Sequence, residues 1–334
     1  MYEKVLSAAL FLTAVPALGM SYNVVALPDV GGEGFSQAFG INDAGDIVGY
    51  SQAANGPEAV EWVRRGTPKI LQDAAGEGSV AVAINNPGYA VGYSIIGGGS
   101  GTEAVKWTPD GTATVLENIP GYVYNGTNLY SAAAINGAGY IVGYSTDSGG
   151  YAHPVEWARN GSITALQELG APGGFANAIN AAGFIAGELL TSTGGEAVVW
   201  SPDGNPTVLQ AVPGYDLTVA TGINDANFVV GYAVSSVSGD QIPVEWAHDG
   251  ALSFLQDVAG LKSSVPFDIN NAGNIVGRSG TNGILDAVVW AENGTGVALP
   301  EGTYAFAINS AGDIVGDNYP HDHLSTALLW LAHP

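Results

Sequence analysis

Short apolar runs alternate with turns rich in Gly, Asn and Asp along this chain, and the alternation itself repeats. Ala38–Gln72 shows one unit. An apolar run ends at Ile41, the turn Asn42-Asp43-Ala44-Gly45 follows, and a second run covers Asp46–Tyr50. After a Gly/Ser/Asn/Pro stretch come a third run, Ala59–Val63, the Arg65-Gly66 turn and a fourth run, Lys69–Gln72. Asn and Asp favour such turns because their side chains bond nearby amides, and Gly accepts positive φ. No stretch carries helical periodicity. Four short strands with a turn signal between each describe one blade of a propeller.

The unit recurs seven times. Ile-Asn pairs place Asn42, Asn85, Asn136, Asn180, Asn224, Asn270 and Asn309 at a period of 39 to 51 residues, the range of propellers and solenoids. Seven residues after each stands a glycine: Gly49, Gly92, Gly143, Gly187, Gly231, Gly277 and Gly316. Trp62, Trp107, Trp157, Trp200, Trp246, Trp290 and Trp330 fall in the third runs and are all the Trp in the chain. Their size and number place the Trp in the core. The glycines are expected to admit the Trp of the adjoining strand, since Gly in a strand commonly marks close approach. The asparagines are expected to cap the hairpin turns.

The two ends of the pattern complement each other. The last repeat has three strands, Tyr304–Ile308, Asp313–Gly316 and Ala327–Leu331, and lacks a fourth. An orphan apolar run, Tyr22–Leu27, precedes the first unit and matches the fourth strands. A closed ring would use that run to complete its last blade and so remove exposed sheet edges, whereas an open solenoid would need caps. The fold class is therefore all-β: a seven-bladed β-propeller of four-stranded antiparallel blades, a single domain over 21–334, closed by Val24–Leu27 pairing with Leu328–Leu331.

The segments AVAINNPGYAVGYS from Ala81, AAAINGAGYIVGYS from Ala132 and AFAINSAGDIVGD from Ala305, each followed by a strand that carries Trp, resemble the HAF repeat of bacterial extracellular proteins. That resemblance implies export and a propeller-like fold, and brings no reaction, substrate or catalytic residue. The fifth copy departs from it, with Asn227 at the turn glycine, a residue that also tolerates the left-handed conformation.

The N-terminus reads as a leader, residues 1–20. One positive charge is followed by apolar Val5–Val15 and small residues near Gly19. The apolar run is too short to span a bilayer comfortably, so the expected location is extracellular or periplasmic, without membrane insertion once the leader is removed. There are no cysteines, hence no disulfide framework or zinc-thiolate site. Lys and Arg number 8 against 31 Asp and Glu, a net charge of −23, which argues against nucleic acid and anionic lipid as partners.

Candidate chemistry lies in the loops. Two residues before the Val of successive third strands stand Glu58, Glu103, His153, Glu196 and Asp286, interrupted by Ile242 and with Thr326 in the last repeat. In a propeller these would recur around one rim, either as ligands or as caps of their own turns. The long loop Asn118–Ser131 adds Tyr122, Tyr124 and Tyr130 to the same face. Aromatic rings beside carboxylates suit a saccharide or a protein surface, and loops on a rigid scaffold commonly carry binding. His321 and His323, two positions apart in extended chain, are a candidate metal pair without an evident third ligand. No nucleophile elbow, HExxH or phosphate loop is present, and no cofactor is implied. The expectation is a non-catalytic propeller binding an extracellular glycan or a surface protein. Two alternatives stay open: a self-associating subunit of a matrix or filament, and an enzyme acting on polysaccharide.

Overall fold

The computed structural model describes residues 12–15, 20–30, 32, 34–123, 130–192, 194–258, 262–281, 284–319 and 325–333. The turn after each Ile-Asn pair shows how sequence becomes a blade. In the first, Asn42 Oδ1 accepts from the amides of Ala44 (3.0 Å) and Asp46 (2.9 Å). Gly45 takes φ 80°. At Asn85 the residue two positions on is Pro87, which has no amide hydrogen, and only the bond from Tyr89 is made (2.9 Å). Asn227 adopts φ 62°, so the fifth turn survives without its glycine.

Each turn starts a four-stranded antiparallel sheet. The first blade runs Ser36–Ile41, Ile47–Ala53, Gly56–Trp62 and Pro68–Ile70, and five more follow the same order. In the seventh, Tyr304–Ile308, Ile314–Asn318 and Thr326–His333 are joined by Met20–Ala26. Val24 lies opposite Trp330, Val25 opposite Leu329 and Ala26 opposite Leu328, so the N-terminal strand completes the ring as expected. Leu12–Val15, within the segment read as a leader, pairs on the outer side of that strand as a fifth. The first strand of every blade touches the first strands of both neighbours, including blade seven on blade one. The architecture is a seven-bladed β-propeller.

The core lies between blades. Leu27, Leu329 and Val315 from the seventh pack with Ile47, Val60 and Trp62 from the first. All seven Trp are fully buried. Each indole donates across to a main-chain carbonyl after the outer strand of the preceding blade: Trp62 to Pro28 (2.8 Å), Trp107 to Gln72 (2.7 Å), Trp157 to Glu117 (2.7 Å). Trp200, Trp246, Trp290 and Trp330 do the same to Gln167, Gln210, Gln256 and Pro300. A buried indole N–H without a partner would be costly, so the same residue supplies apolar area and a specific inter-blade bond.

The glycines of the second strands serve a purpose other than the one the sequence suggested. A Cβ on Gly49 would stand 1.9 Å from the carbonyl oxygen of Gln37, and on Gly231 1.9 Å from that of Val219. The other five meet an equivalent carbonyl at 1.9 to 2.1 Å, and at Gly187 a carbon of the Trp200 ring also stands 3.0 Å away. The cause is a β-bulge in every innermost strand, between Ala38 and Gly40 in the first blade and at the matching place in the rest. The bulge turns a carbonyl toward the neighbouring strand and re-aims one side chain.

Candidate functional site along the ring axis

The axis is built in layers. At one end the seven turn asparagines form a closed circle: Asn42 Nδ2 donates to the carbonyl of Asn85 (3.2 Å), Asn85 to Asn136 (3.0 Å) and Asn136 to Asn180 (3.1 Å). The chain of bonds continues through Asn224, Asn270 and Asn309 and returns to Asn42 (3.2 Å). Their oxygens are engaged in the turns and their amides on the next blade, so they hold the ring together. Above them the isoleucines that precede them line the channel.

The next layer is made by the bulged residues Phe39, Val82, Ala133, Asn177, Thr221, Phe267 and Phe306, which surround an open chamber of about 330 Å³. The Asn177 amide donates to Ala220 O (2.9 Å), and the Thr221 hydroxyl to Pro266 O (2.9 Å). Asp268 lines the same chamber, and burial pushes its carboxyl up to about 6.

A fourth layer follows, from the residue after each second-strand glycine: Tyr50, Tyr93, Tyr144, Glu188, Tyr232, Arg278 and Asp317. All are half-buried except Asp317, which is fully buried. They lie opposite the residues that begin the innermost strands, toward the face that carries the loops into the third strands. Tyr50 stacks over Phe39 at 5.9 Å between ring centroids. Its hydroxyl donates to Gln37 (3.0 Å), whose amide donates to the Asp317 carboxylate of the preceding blade. Tyr144 meets Phe175 edge-on at 5.3 Å, and Arg278 donates to Gln241 (3.1 Å).

These groups affect one another's ionisation. Burial pushes the Tyr50 phenol up to about 12, with further contributions from Tyr93 and Asp317. The Tyr232 phenol is raised by burial and by Glu188, against a lowering by Arg278. Burial raises the Glu188 carboxyl to about 7. Asp317 is raised to about 6 by burial, although Gln37 and Ser325 donate to it. A carboxyl near neutrality among phenols and one guanidinium can accept or donate hydrogen bonds at physiological pH. The sequence pattern gives a role only to the glycine before each of these residues, in packing, and so leaves this layer unmarked. The signal was the column itself, where tyrosines give way to Glu188, Arg278 and Asp317.

The rim residues are only partly brought together. Tyr122 tilts against His153 at 4.9 Å between rings, and His153 stands between Glu168 (Nδ1, 2.7 Å) and Asp147 (Nε2, 3.2 Å). Burial first, then Glu168 and Asp147, raise the Tyr122 phenol. Tyr130 is buried and donates to Leu116 O (3.0 Å), so its ring is local core rather than surface. Glu103 is close enough to raise the Tyr130 phenol, after burial. Glu58 lines a groove with Asp73 and Asp110, whereas Glu196 lines another with Glu168 and Leu169, and Asp286 lies opposite Ser279. Glu58 and Glu196 thus stand in separate grooves, and Glu168 links His153 to the second of them. Tyr124, His321 and His323 lie outside the described residues. Among the described residues no three His, Asp or Glu are arranged to hold a metal ion.

No protein-family model and no curated protein matches the sequence. Among solved structures the chain is similar to a streptogramin B lyase, with a TM-score of 0.64, 10% identity, and coverage of 93% of this chain and 98% of that one. It is similar to virginiamycin B lyase from Staphylococcus aureus (TM-score 0.58, 12% identity, 93% and 99% covered). A third likeness is the β-propeller domain of the Trilobed protease from Pyrococcus furiosus (0.52, 9%, 90% and 95%), described as having an open velcro topology. The present ring is instead closed through its N-terminal strand. At such identities these likenesses establish the fold alone: the chain is a seven-bladed β-propeller.

Proposed function

We propose that the protein is an exported binding propeller that takes a hydroxylated ligand, a saccharide, over the axial mouth. The observation that carries this reading is the layer of four tyrosines with Glu188, Arg278 and Asp317, in which Tyr50 feels Tyr93 and Asp317, and Tyr232 feels Glu188 and Arg278. Flat rings cover the apolar face of a sugar, while phenol, carboxyl, amide and guanidinium groups bond its hydroxyls. The Tyr122–His153 pair extends the same loop face. The resemblance of AAAINGAGYIVGYS and its sister segments to the HAF repeat supports export.

A glycan array on protein lacking residues 1–19 tests the reading, followed by titration of the best ligand. Replacing Tyr93 and Tyr144 by Phe keeps the rings and removes two hydroxyls. Each lost bond is expected to weaken binding by on the order of 1 kcal/mol. A stable double variant that binds as tightly as the parent, or an array with no retained glycan, overturns it.

Glu188 favours a second reading. A half-buried carboxyl titrating near 7 suits a general acid or base, and product analysis after incubation with any bound glycan separates turnover from binding. Glu188→Gln should abolish turnover while leaving binding within a few-fold.

A further inference from the structure

The seven bulged residues around the axial chamber are equivalent in backbone and unequal in chemistry. Phe267, Phe306 and Phe39, from three consecutive blades, form a continuous wall, with centroids 5.5 Å apart for the first pair and 5.0 Å for the second. Tyr304 stacks on Phe306 at 5.4 Å with planes 4° apart. The other sectors carry the small Val82 and Ala133 and the polar Asn177 and Thr221. A volume of about 330 Å³ falls within the range of small-molecule sites.

One side chain breaks the repeat. At the position after the bulge six blades carry Gly or Ala, as in Gly222 and Ala307, and the sixth blade carries Asp268. Because six blades close without it, the fold does not call for a carboxyl there. Among the described residues it is the one ionisable side chain lining the chamber. One oxygen accepts from the Ile269 amide (2.8 Å) and the other from the Ile308 amide (3.0 Å), which leaves each a further lone pair.

We propose that this chamber binds a small molecule carrying a protonated amine on an apolar or aromatic ring, with the ammonium against Asp268 and the ring on the Phe267–Phe306–Phe39 wall. A carboxylate held in an apolar chamber is costly unless paired, and a cation compensates it. The aromatic faces beside it attract cations as well. The net charge of −23 draws cations toward the protein. An anion would meet only repulsion, and a neutral ring would leave the carboxylate uncompensated. The proposal goes beyond the saccharide reading and does not depend on the mouth above.

Calorimetric titration with benzylamine and its neutral counterpart benzyl alcohol tests it, on the parent protein and on Asp268→Asn. Benzylamine is expected to bind the parent at pH 7.5 at least tenfold more tightly than benzyl alcohol, and Asp268→Asn to remove that difference. Since burial holds the Asp268 carboxyl at about 6, benzylamine affinity should also fall at least threefold between pH 7.5 and pH 5 while that of benzyl alcohol stays constant. This arm uses the parent alone and stands even where the variant does not fold. Phe306→Leu should weaken both probes. Equal affinity for the two probes, an unchanged affinity in folded Asp268→Asn, or no benzylamine binding at millimolar concentration overturns the proposal.

Discussion

The side-chain amide of Asn309 donates to the main-chain carbonyl of Asn42 at 3.2 Å, across 267 residues of sequence. This bond crosses the seam between the last blade and the first, and it has the same form as the six bonds within the chain order. The seam is therefore as regular at the axis as any other inter-blade junction. At the periphery Trp62 and Pro28 repeat the lesson, because the carbonyl they use belongs to the segment after the N-terminal strand.

Asn309→Ala should destabilise the ring by on the order of 1–3 kcal/mol, since it removes the seam bond and leaves the amides of Ala311 and Asp313 without their acceptor. Asn136→Ala should cost a similar amount if the seam is an ordinary junction. Urea unfolding of both variants makes the comparison. A much larger loss at Asn309 would mark the seam as the weak point.

Trp157→Ala is expected to cost about 3–5 kcal/mol, as large-to-small core changes do. It also orphans the Glu117 carbonyl. The parent should fluoresce at the short wavelengths of buried indole, given that all seven Trp are fully buried. An emission maximum at the position of indole in water contradicts the structure.

Gly231→Ala should be among the most damaging conservative changes available. The new methyl would overlap the Val219 carbonyl oxygen, a backbone atom fixed by the bulge. A cost of about 3 kcal/mol is expected for such overpacking. Gly204, with φ 80° and nothing within 4 Å of its Cβ position, should respond only through its backbone strain and lose about 1 kcal/mol on the same change. Melting temperatures of the two variants rank them directly.

Glu188, Asp268 and Asp317 all titrate higher in the folded protein than unfolded carboxyls do, at about 7, 6 and 6. The folded state therefore binds more protons than the unfolded chain between roughly pH 4 and 7. Stability from these groups is present at the acidic end of that window and is lost as pH rises through the folded values. Melting temperature should rise on going from pH 8 to pH 5.5, and Glu188→Gln should flatten the upper part of the profile, between pH 6 and 8. A variant profile parallel to that of the parent would remove Glu188 as the cause.

Much of the fold was legible because repetition turns one local rule into seven tests. The Ile-Asn-x-x-Gly turn, the Trp carried by each third strand, and the Tyr22–Leu27 run that fits the missing strand are all sequence-local, and the structure places each as expected. The role of Gly49 was not legible, since the clash partner is a carbonyl rotated by a bulge in a different strand. Tyr130 was misread for a related reason: a loop address says nothing about whether a ring turns inward to Leu116. The axial layers were hidden because their members, such as Tyr50, Glu188 and Asp317, are far apart in the chain and meet only through ring closure. Columns of departures from the repeat, not the repeat itself, mark where chemistry stands.

The seam has a mechanical consequence. Ser21 pairs with His333 and Ala26 with Leu328, so residues 21 and 333 stand side by side on neighbouring antiparallel strands of the seventh sheet. A force pulling residues 21 and 333 apart loads that pair like the tab of a zipper, and its hydrogen bonds give way in succession rather than together. Tension between a point in the third blade and one in the seventh would instead have to shear several inter-blade faces at once. Pulled apart at Ser21 and His333, the ring should open at low force as a continuous ribbon. Held through its blades, the same molecule should behave as a stiff disc.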